Sequence, residues 1–162
     1  METIDVLVEI CRDDIVLPSY ANIGDAGMDV VAAKDIEIQP GETAIIPTGL
    51  KVAIPVGYEI QVRPRSGLSV KTPLRIPNSP GTIDSGYRDE IGIIMCNTSI
   101  QNTGVYDIAE KGNKQGTYKI NKGDRIAQFI LAKVPVINWV PVENVAQEGN
   151  NRGGGFGSTG IK

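Results

Sequence analysis

Glycine and proline set the limits of this sequence: 19 of the first and ten of the second break up every candidate for a long helix. Between them recur short apolar runs rich in Val and Ile, among them "DVLVEI", "TAIIPTGLKVAIP", "YEIQVRP", "EIGIIMCN" and "RIAQFILAKVPV". Around Ile60 and Val62, apolar and polar residues alternate as in a half-buried strand. Two short helices are predicted, in "SGLSVKT" after Arg65 and in "VENVAQE" near residue 145. The pattern predicts an all-β fold, either a barrel or a jelly-roll-like sandwich. Two segments stand apart. "NTSIQNTGVYDIAEKGNKQGTYK" is polar and glycine-punctuated, and reads as a long loop or a protruding hairpin. "EGNNRGGGFGSTGIK" has almost no apolar content, cannot pack a core by itself, and is expected to be mobile when nothing is bound. The chain therefore divides into a β domain over residues 1–146 and a glycine-rich arm over 147–162.

A length of 162 residues suits one domain that buries roughly 70% of its unfolded surface. Lys and Arg total 16 against 19 Asp and Glu, a net charge of −3. That balance points to no nucleic-acid duplex and no membrane surface as partner, and leaves room for a local basic site that takes a small anion. There is no histidine. Ser-His-Asp triads and His-ligated zinc sites are thereby excluded, and a catalytic base must be Asp, Glu, Lys, Tyr or Cys. Cys11 and Cys96 lie far apart without metal-ligand spacing and read as reduced core residues. The opening "METIDVLVEICRDD" is too acidic and too broken for a signal peptide. No apolar run approaches the roughly 18 residues of a membrane span. A cytoplasmic location is the expectation.

Five stretches look wrong for plain barrel architecture. In "AGMDV", Asp29 enters an otherwise apolar strand start, where it either caps a turn after Gly27 or needs a partner. In "PRSG", Ser66 is a good N-cap for a short helix, and the same helix start beside Arg65 also suits an anion. "NSPGTIDSGYRDEIGI" reads as two hairpin strands, "GTID" and "DEIGII", joined through Ser85, Gly86 and Tyr87. Asp84 is there a turn former or a reactive carboxylate, and Tyr87 a lid on the core or a ligand contact. Backbone groups at such an edge can also read a base as another strand would. In "GDRIAQ", Arg125 and Gln128 put polar groups inside a strand, and an ion pair between Asp124 and Arg125 is the simplest account. The last stretch, "RGGGFGSTG", meets the G-x-G-x-x-G spacing of a dinucleotide loop at Gly155, Gly157 and Gly160. No helix follows it, so it is not that loop.

Taken in order and spacing, these five stretches strongly resemble the five motifs of homotrimeric deoxyuridine triphosphatases (dUTPases), over about residues 18 to 160. The resemblance implies a jelly-roll-like β-barrel (the dUTPase-like β-clip) and a homotrimer with active sites shared among subunits. It implies Mg²⁺-dependent hydrolysis of dUTP to dUMP and diphosphate, which keeps uracil out of DNA and supplies dUMP for dTMP synthesis. Asp84 matches the catalytic aspartate, which orients and deprotonates the water attacking the α-phosphorus. Arg65, Ser66, Gly67 and Gln128 match phosphate-holding residues. Asp29 would meet the metal through water and would interact with Arg65. Uracil would be read by backbone groups around Gly81, Ile83 and Gly92, assisted by Asn78, while Tyr87 would pack under the deoxyribose and exclude a 2′-hydroxyl. The tail would close over the site, crossing to a neighbouring subunit. Arg152 would clamp the γ-phosphate, Phe156 would stack on uracil, and Gly157, Ser158 and Thr159 would cover the phosphates.

The chain departs from the family's commonest pattern at Asp89, where glycine is usual, at Val30 for leucine, and in the longer stretch between Cys96 and Gly123. Asp89 is expected to point to solvent. Of the rival readings, a dCTP deaminase of the same fold would carry a catalytic glutamate in a "TLE"-like strand, and "DEIGIIMCN" has none there. A non-enzymatic, nucleotide-regulated trimeric binding module is the other.

Overall fold

The computed structural model describes residues 2–110 and 112–155. Among these, twelve strands carry the fold: β1 (Leu7–Ile10), β2 (Met28–Val31), β3 (Ile36–Ile38), β4 (Thr43–Pro47), β5 (Leu50–Ala53), β6 (Tyr58–Arg63), β7 (Leu74–Arg75), β8 (Gly81–Ile83), β9 (Gly92–Asn97), β10 (Val105–Asp107), β11 (Thr117–Ile120) and β12 (Arg125–Lys133). They form four small sheets, ordered β2-β12-β6-β8, β4-β9-β7, β10-β11-β3 and β1-β5. The all-β, jelly-roll-like expectation holds. One helix, α1 (Ser66–Lys71), and a 3₁₀ turn at Val145–Gln147 occupy the two predicted helical positions. No helix among the described residues is long and apolar enough to cross a membrane.

Strand periodicity explains the core. In β6, Ile60 and Val62 are buried while Glu59 and Gln61 are half-buried and Arg63 is exposed. In β9, Ile93, Met95 and Asn97 alternate inward. With Ile38, Ile46, Ile91, Tyr118, Ile120 and Ile126 they make one contiguous core. Each such side chain contributes about 1.5–3 kcal/mol by leaving water. Buried Asn97 is the polar exception, and its amide is fully used. Its Nδ2 donates to the Ile38 and Gly116 carbonyls, both at 2.8 Å, and its Oδ1 accepts from the Ser99 N–H at 3.0 Å.

Four local expectations are corrected. The strands either side of Ser85–Tyr87 do not form a hairpin: β8 pairs with β6, whereas β9 pairs with β4 and β7 in another sheet. The polar segment after Asn97 is mostly loop, as expected, but it is not a protruding hairpin. Its strands β10 and β11 run parallel, and β11 docks antiparallel on β3 through buried Tyr118 and Ile120. Ser66 does not cap α1, because Arg65 holds the N-cap position and makes no side-chain cap bond. Cys11 and Cys96 are free thiols, but both are only half-buried.

Candidate active site

The four-stranded sheet gathers the first polar cluster. Gln128 on β12 lies opposite Asp29 on β2 and opposite Arg63 on β6. Arg125 sits three residues before Gln128, so strict alternation would turn it to the other face. A register shift between Arg125 and Ala127 prevents this by setting Arg125 opposite Val31, two residues from Asp29. The bulge re-aims Arg125 onto the face that Gln128 and Asp29 share.

Pro64 ends β6, and Arg65 reaches back over that face. Its Nε donates to Asp29 Oδ1 at 2.7 Å and its Nη2 to Oδ2 at 3.2 Å. Arg125 Nη1 adds a bond to Asp29 Oδ2 at 3.2 Å. Burial alone would raise the Asp29 pKa. The hydrogen bond and charge of Arg65, the charge of Arg125 and the facing amide of Gln128 together outweigh it, and the carboxyl is held below its ordinary value. Asp29 is thus ionised at neutral pH and spreads over two guanidinium groups. The expected Asp29–Arg65 contact is present. The expected Asp124–Arg125 pair is not, since Asp124 accepts the Asn121 N–H at 2.7 Å instead.

Two hollows flank the cluster. One, of about 590 Å³, is lined by Ser19, Asp25, Gly27, Asp29, Arg63 and Gln128 among others. The other, of about 370 Å³, lies between Arg65, Gly67, Lys71 and Arg125 on one side and Ile108 and Ala109 on the other. Exposed Ser66 and Gly67 open α1 beside them. Sequence reading missed the second wall. The segment after β9 is bonded to both arginine-bearing stretches: the Asn113 N–H donates to the Lys71 carbonyl at 2.9 Å, and Asn121 Nδ2 donates to Asp107 Oδ2 at 2.6 Å. No local motif announces these links, because they join residues distant in the chain.

The second polar cluster is a turn. The Tyr87 N–H donates to the Asp84 carbonyl at 3.1 Å, and the Tyr87 hydroxyl donates to the Glu90 carbonyl at 2.9 Å. Asp84 and Asp89 are exposed, and Tyr87 is 37% exposed. Asn78 stands beside this turn's entry strand: a Cβ added at Gly81 would meet Asn78 Nδ2 at 3.3 Å and Val62 Cβ at 3.2 Å. Half-buried Ile83 pairs with Ile60, and Gly92 opens β9 opposite Pro47, where any side chain would strike Ile45. Arg152 is exposed. Phe156, Gly157, Ser158 and Thr159 lie outside the described residues.

One chain does not unite the two clusters. Asp84 follows the Ile83–Ile60 pair, while Gln128 is level with Arg63 two strands away. Four residues along a strand and two strand spacings separate them by roughly 15 Å.

A dUTPase family profile matches residues 13–110. A deoxyuridine 5′-triphosphate nucleotidohydrolase of Desulfotalea psychrophila is 46% identical over 148 residues, covering 90% of this chain and 87% of its own. One of Zymomonas mobilis is 47% identical over 146 residues, covering 89% and 88%. Among solved structures, the dUTPase of Staphylococcus bacteriophage 80alpha with dUpNHpp superposes at a TM-score of 0.86, with 32% identity over 98% of this chain and 100% of that one. A mutant dUTPase from phage phi11 of S. aureus, described with a structural Mg(II) ion, gives 0.78 at 33% identity, covering 88% of this chain and 99% of its own. With four of its five motifs on one barrel and its relatives matched nearly end to end, the chain belongs to the dUTPase family.

Proposed function

We propose that the protein is a dUTP diphosphatase that converts dUTP and water into dUMP and diphosphate. Such an activity keeps uracil out of DNA and supplies dUMP for dTMP synthesis. The observation that carries the reading is the pairing of an arginine-rich face, preset by ionised Asp29, with a separate Asp84–Tyr87 turn. Each suits one end of a nucleoside triphosphate.

On this reading Arg65, Ser66, Gly67 and Gln128 hold the phosphates. Guanidinium forks suit phosphate oxygens and neutralise charge that develops on the leaving diphosphate. Asp84 takes the proton of the attacking water, a role worth roughly 10²–10⁴ in rate. Asn78 and the backbone at Gly81, Ile83 and Gly92 read the acceptor–donor–acceptor edge of uracil. Cytosine reverses part of that pattern, and a site built on hydrogen bonds rejects such a mismatch by roughly 10⁴-fold. Tyr87 packs on the sugar.

Among the described residues no group of three or more His, Cys, Asp or Glu is arranged to hold a metal. The hard oxygen of ionised Asp29 would suit an Mg²⁺ brought in with the phosphates, which Asp29 would meet through water. When bound, Mg²⁺ would supply charge neutralisation on the phosphate chain.

The separation of the two clusters supports a homotrimer whose sites combine residues of different subunits. So does the exposed apolar stretch Val136, Ile137, Trp139 and Val140, which suits burial against another copy. Residues 147–162 then act as a closing arm on a domain of residues 1–146, with Arg152, Phe156, Gly157, Ser158 and Thr159 over the nucleotide. The deciding experiment is diphosphate release from a panel of nucleoside triphosphates with Mg²⁺. Turnover of dUTP far ahead of dCTP, dTTP and UTP is expected. Equal hydrolysis of several would overturn the specificity, and ammonia from dCTP would favour a deaminase.

A further inference from the structure

The segment carrying Asp84 and Tyr87 is fixed at both ends and almost nowhere between. Before it, Ile83 pairs with Ile60 on β6. After it, Ile91 is clamped: its carbonyl accepts from the Thr48 N–H at 3.1 Å and Thr48 Oγ1 at 2.7 Å, and its N–H donates to the Leu50 carbonyl at 2.9 Å. Within residues 84–90, Tyr87 bonds to Asp84 and Glu90, and Arg88 Nη1 donates to the Ser85 and Tyr87 carbonyls. All of these are internal to the segment. Among the described residues, its only hydrogen bonds to the rest of the chain come through the Glu90 carboxylate. That group accepts Arg12 Nε on Oε1 at 2.5 Å and Nη2 on Oε2 at 2.7 Å, and Oε1 also accepts the Gly49 N–H at 2.8 Å.

Glu90 therefore does two things at once. Its side chain ties the segment to the β4–β5 connection and to the strand-flanking Arg12. Its backbone carbonyl is the acceptor of the Tyr87 hydroxyl. We propose that Glu90, braced by Arg12, is a positioning residue that sets the Tyr87 ring and the Asp84 carboxylate, and so sets how strictly the site prefers deoxyribose to ribose. The inference rests on the dUTP reading above. A bidentate carboxylate–guanidinium pair fixes direction as well as distance, and small misplacements of a catalytic turn cost large factors in rate.

The test measures kcat and KM for dUTP and for UTP in the full-length protein and in Glu90→Ala, Glu90→Gln, Arg12→Gln and the Glu90→Ala/Arg12→Gln double variant, with thermal melting alongside. The dUTP:UTP ratio of kcat/KM is expected to fall by about tenfold or more in Glu90→Ala, together with kcat for dUTP. Arg12→Gln and Glu90→Gln should move both in the same direction by less. The double variant should match Glu90→Ala, since both singles remove one brace. A change in melting temperature with an unchanged ratio and an unchanged kcat would make the brace merely structural and overturn the proposal, as would strictly additive losses. If Glu90→Ala does not fold, the two Gln variants decide the matter on the same criteria. Absence of dUTP turnover by the wild type would instead overturn the underlying reading, and with it this one.

Discussion

The Arg65 guanidinium and the Asp29 carboxylate are joined through two nitrogens and two oxygens, at 2.7 and 3.2 Å, with Arg125 on the second oxygen. About a quarter of each of the first two side chains is exposed. Asp29→Ala should release both arginines from their preset geometry. The expected result is a higher KM for dUTP and a stability loss of about 1–2 kcal/mol, at the low end for bonds to charged groups because the site is partly wet. Steady-state kinetics and denaturant titration check the two parts; an unchanged KM would remove Asp29 from the phosphate site.

Acid should loosen the protein at two places together. Arg12 holds the Glu90 carboxyl below its ordinary value by hydrogen bond, against a smaller opposing push from burial. Asp29 is also depressed, its arginines outweighing burial. A depressed carboxyl stabilises the fold fully above its unfolded pKa, and that share is lost as pH falls through the folded one. Stability should hold down to about pH 4–5 and fall below it. Melting temperatures from pH 7 to pH 3 for wild type and Glu90→Gln measure it; curves that stay parallel across that range would refute the Glu90 share.

Asp84→Asn should keep assembly and nucleotide affinity while losing roughly 10²–10⁴ in kcat. Calorimetric binding of a non-hydrolysable dUTP analogue, beside turnover, separates the two quantities. Near-normal turnover would end the assignment of Asp84 as base.

Ending the chain at Gln147 should leave a folded oligomer with little activity. Circular dichroism, light scattering and dUTP turnover report on this. An unfolded or monomeric product would make the tail structural.

Asn97→Ala should destabilise by about 2–4 kcal/mol, because it strands two buried carbonyls and one N–H that the amide now satisfies. Denaturant unfolding gives the value, and a cost under 1 kcal/mol would mean that water takes the amide's place.

Much of this was legible in the sequence because it is local. Period-two alternation marks β6 and β9, and the motif positions Asp29, Arg65 and Gln128 converge on one face. What escaped is long-range. Whether β8 and β9 pair with each other or with different sheets depends on the whole barrel, and "GTID" and "DEIGII" carry no mark of it. The bulge before Ala127 decides which face Arg125 takes, yet "GDRIAQ" contains no glycine at the bulge to announce it. Glu90 reads as one more charge in "YRDE" until Arg12, 78 residues away, is seen to meet it.

The Asn97 amide has one more consequence. Together with the Gly116 N–H, which donates to Ser99 Oγ at 3.1 Å, it fastens the two ends of residues 99–116 side by side. With its base closed in this way, the excursion can lengthen at about 0.6 kcal/mol per doubling. The stretches that carry Arg65 and Arg125 are bonded to the same excursion through Asn113 and Asp107. The fold has thus set a segment whose length costs little to change directly beside the arginine face.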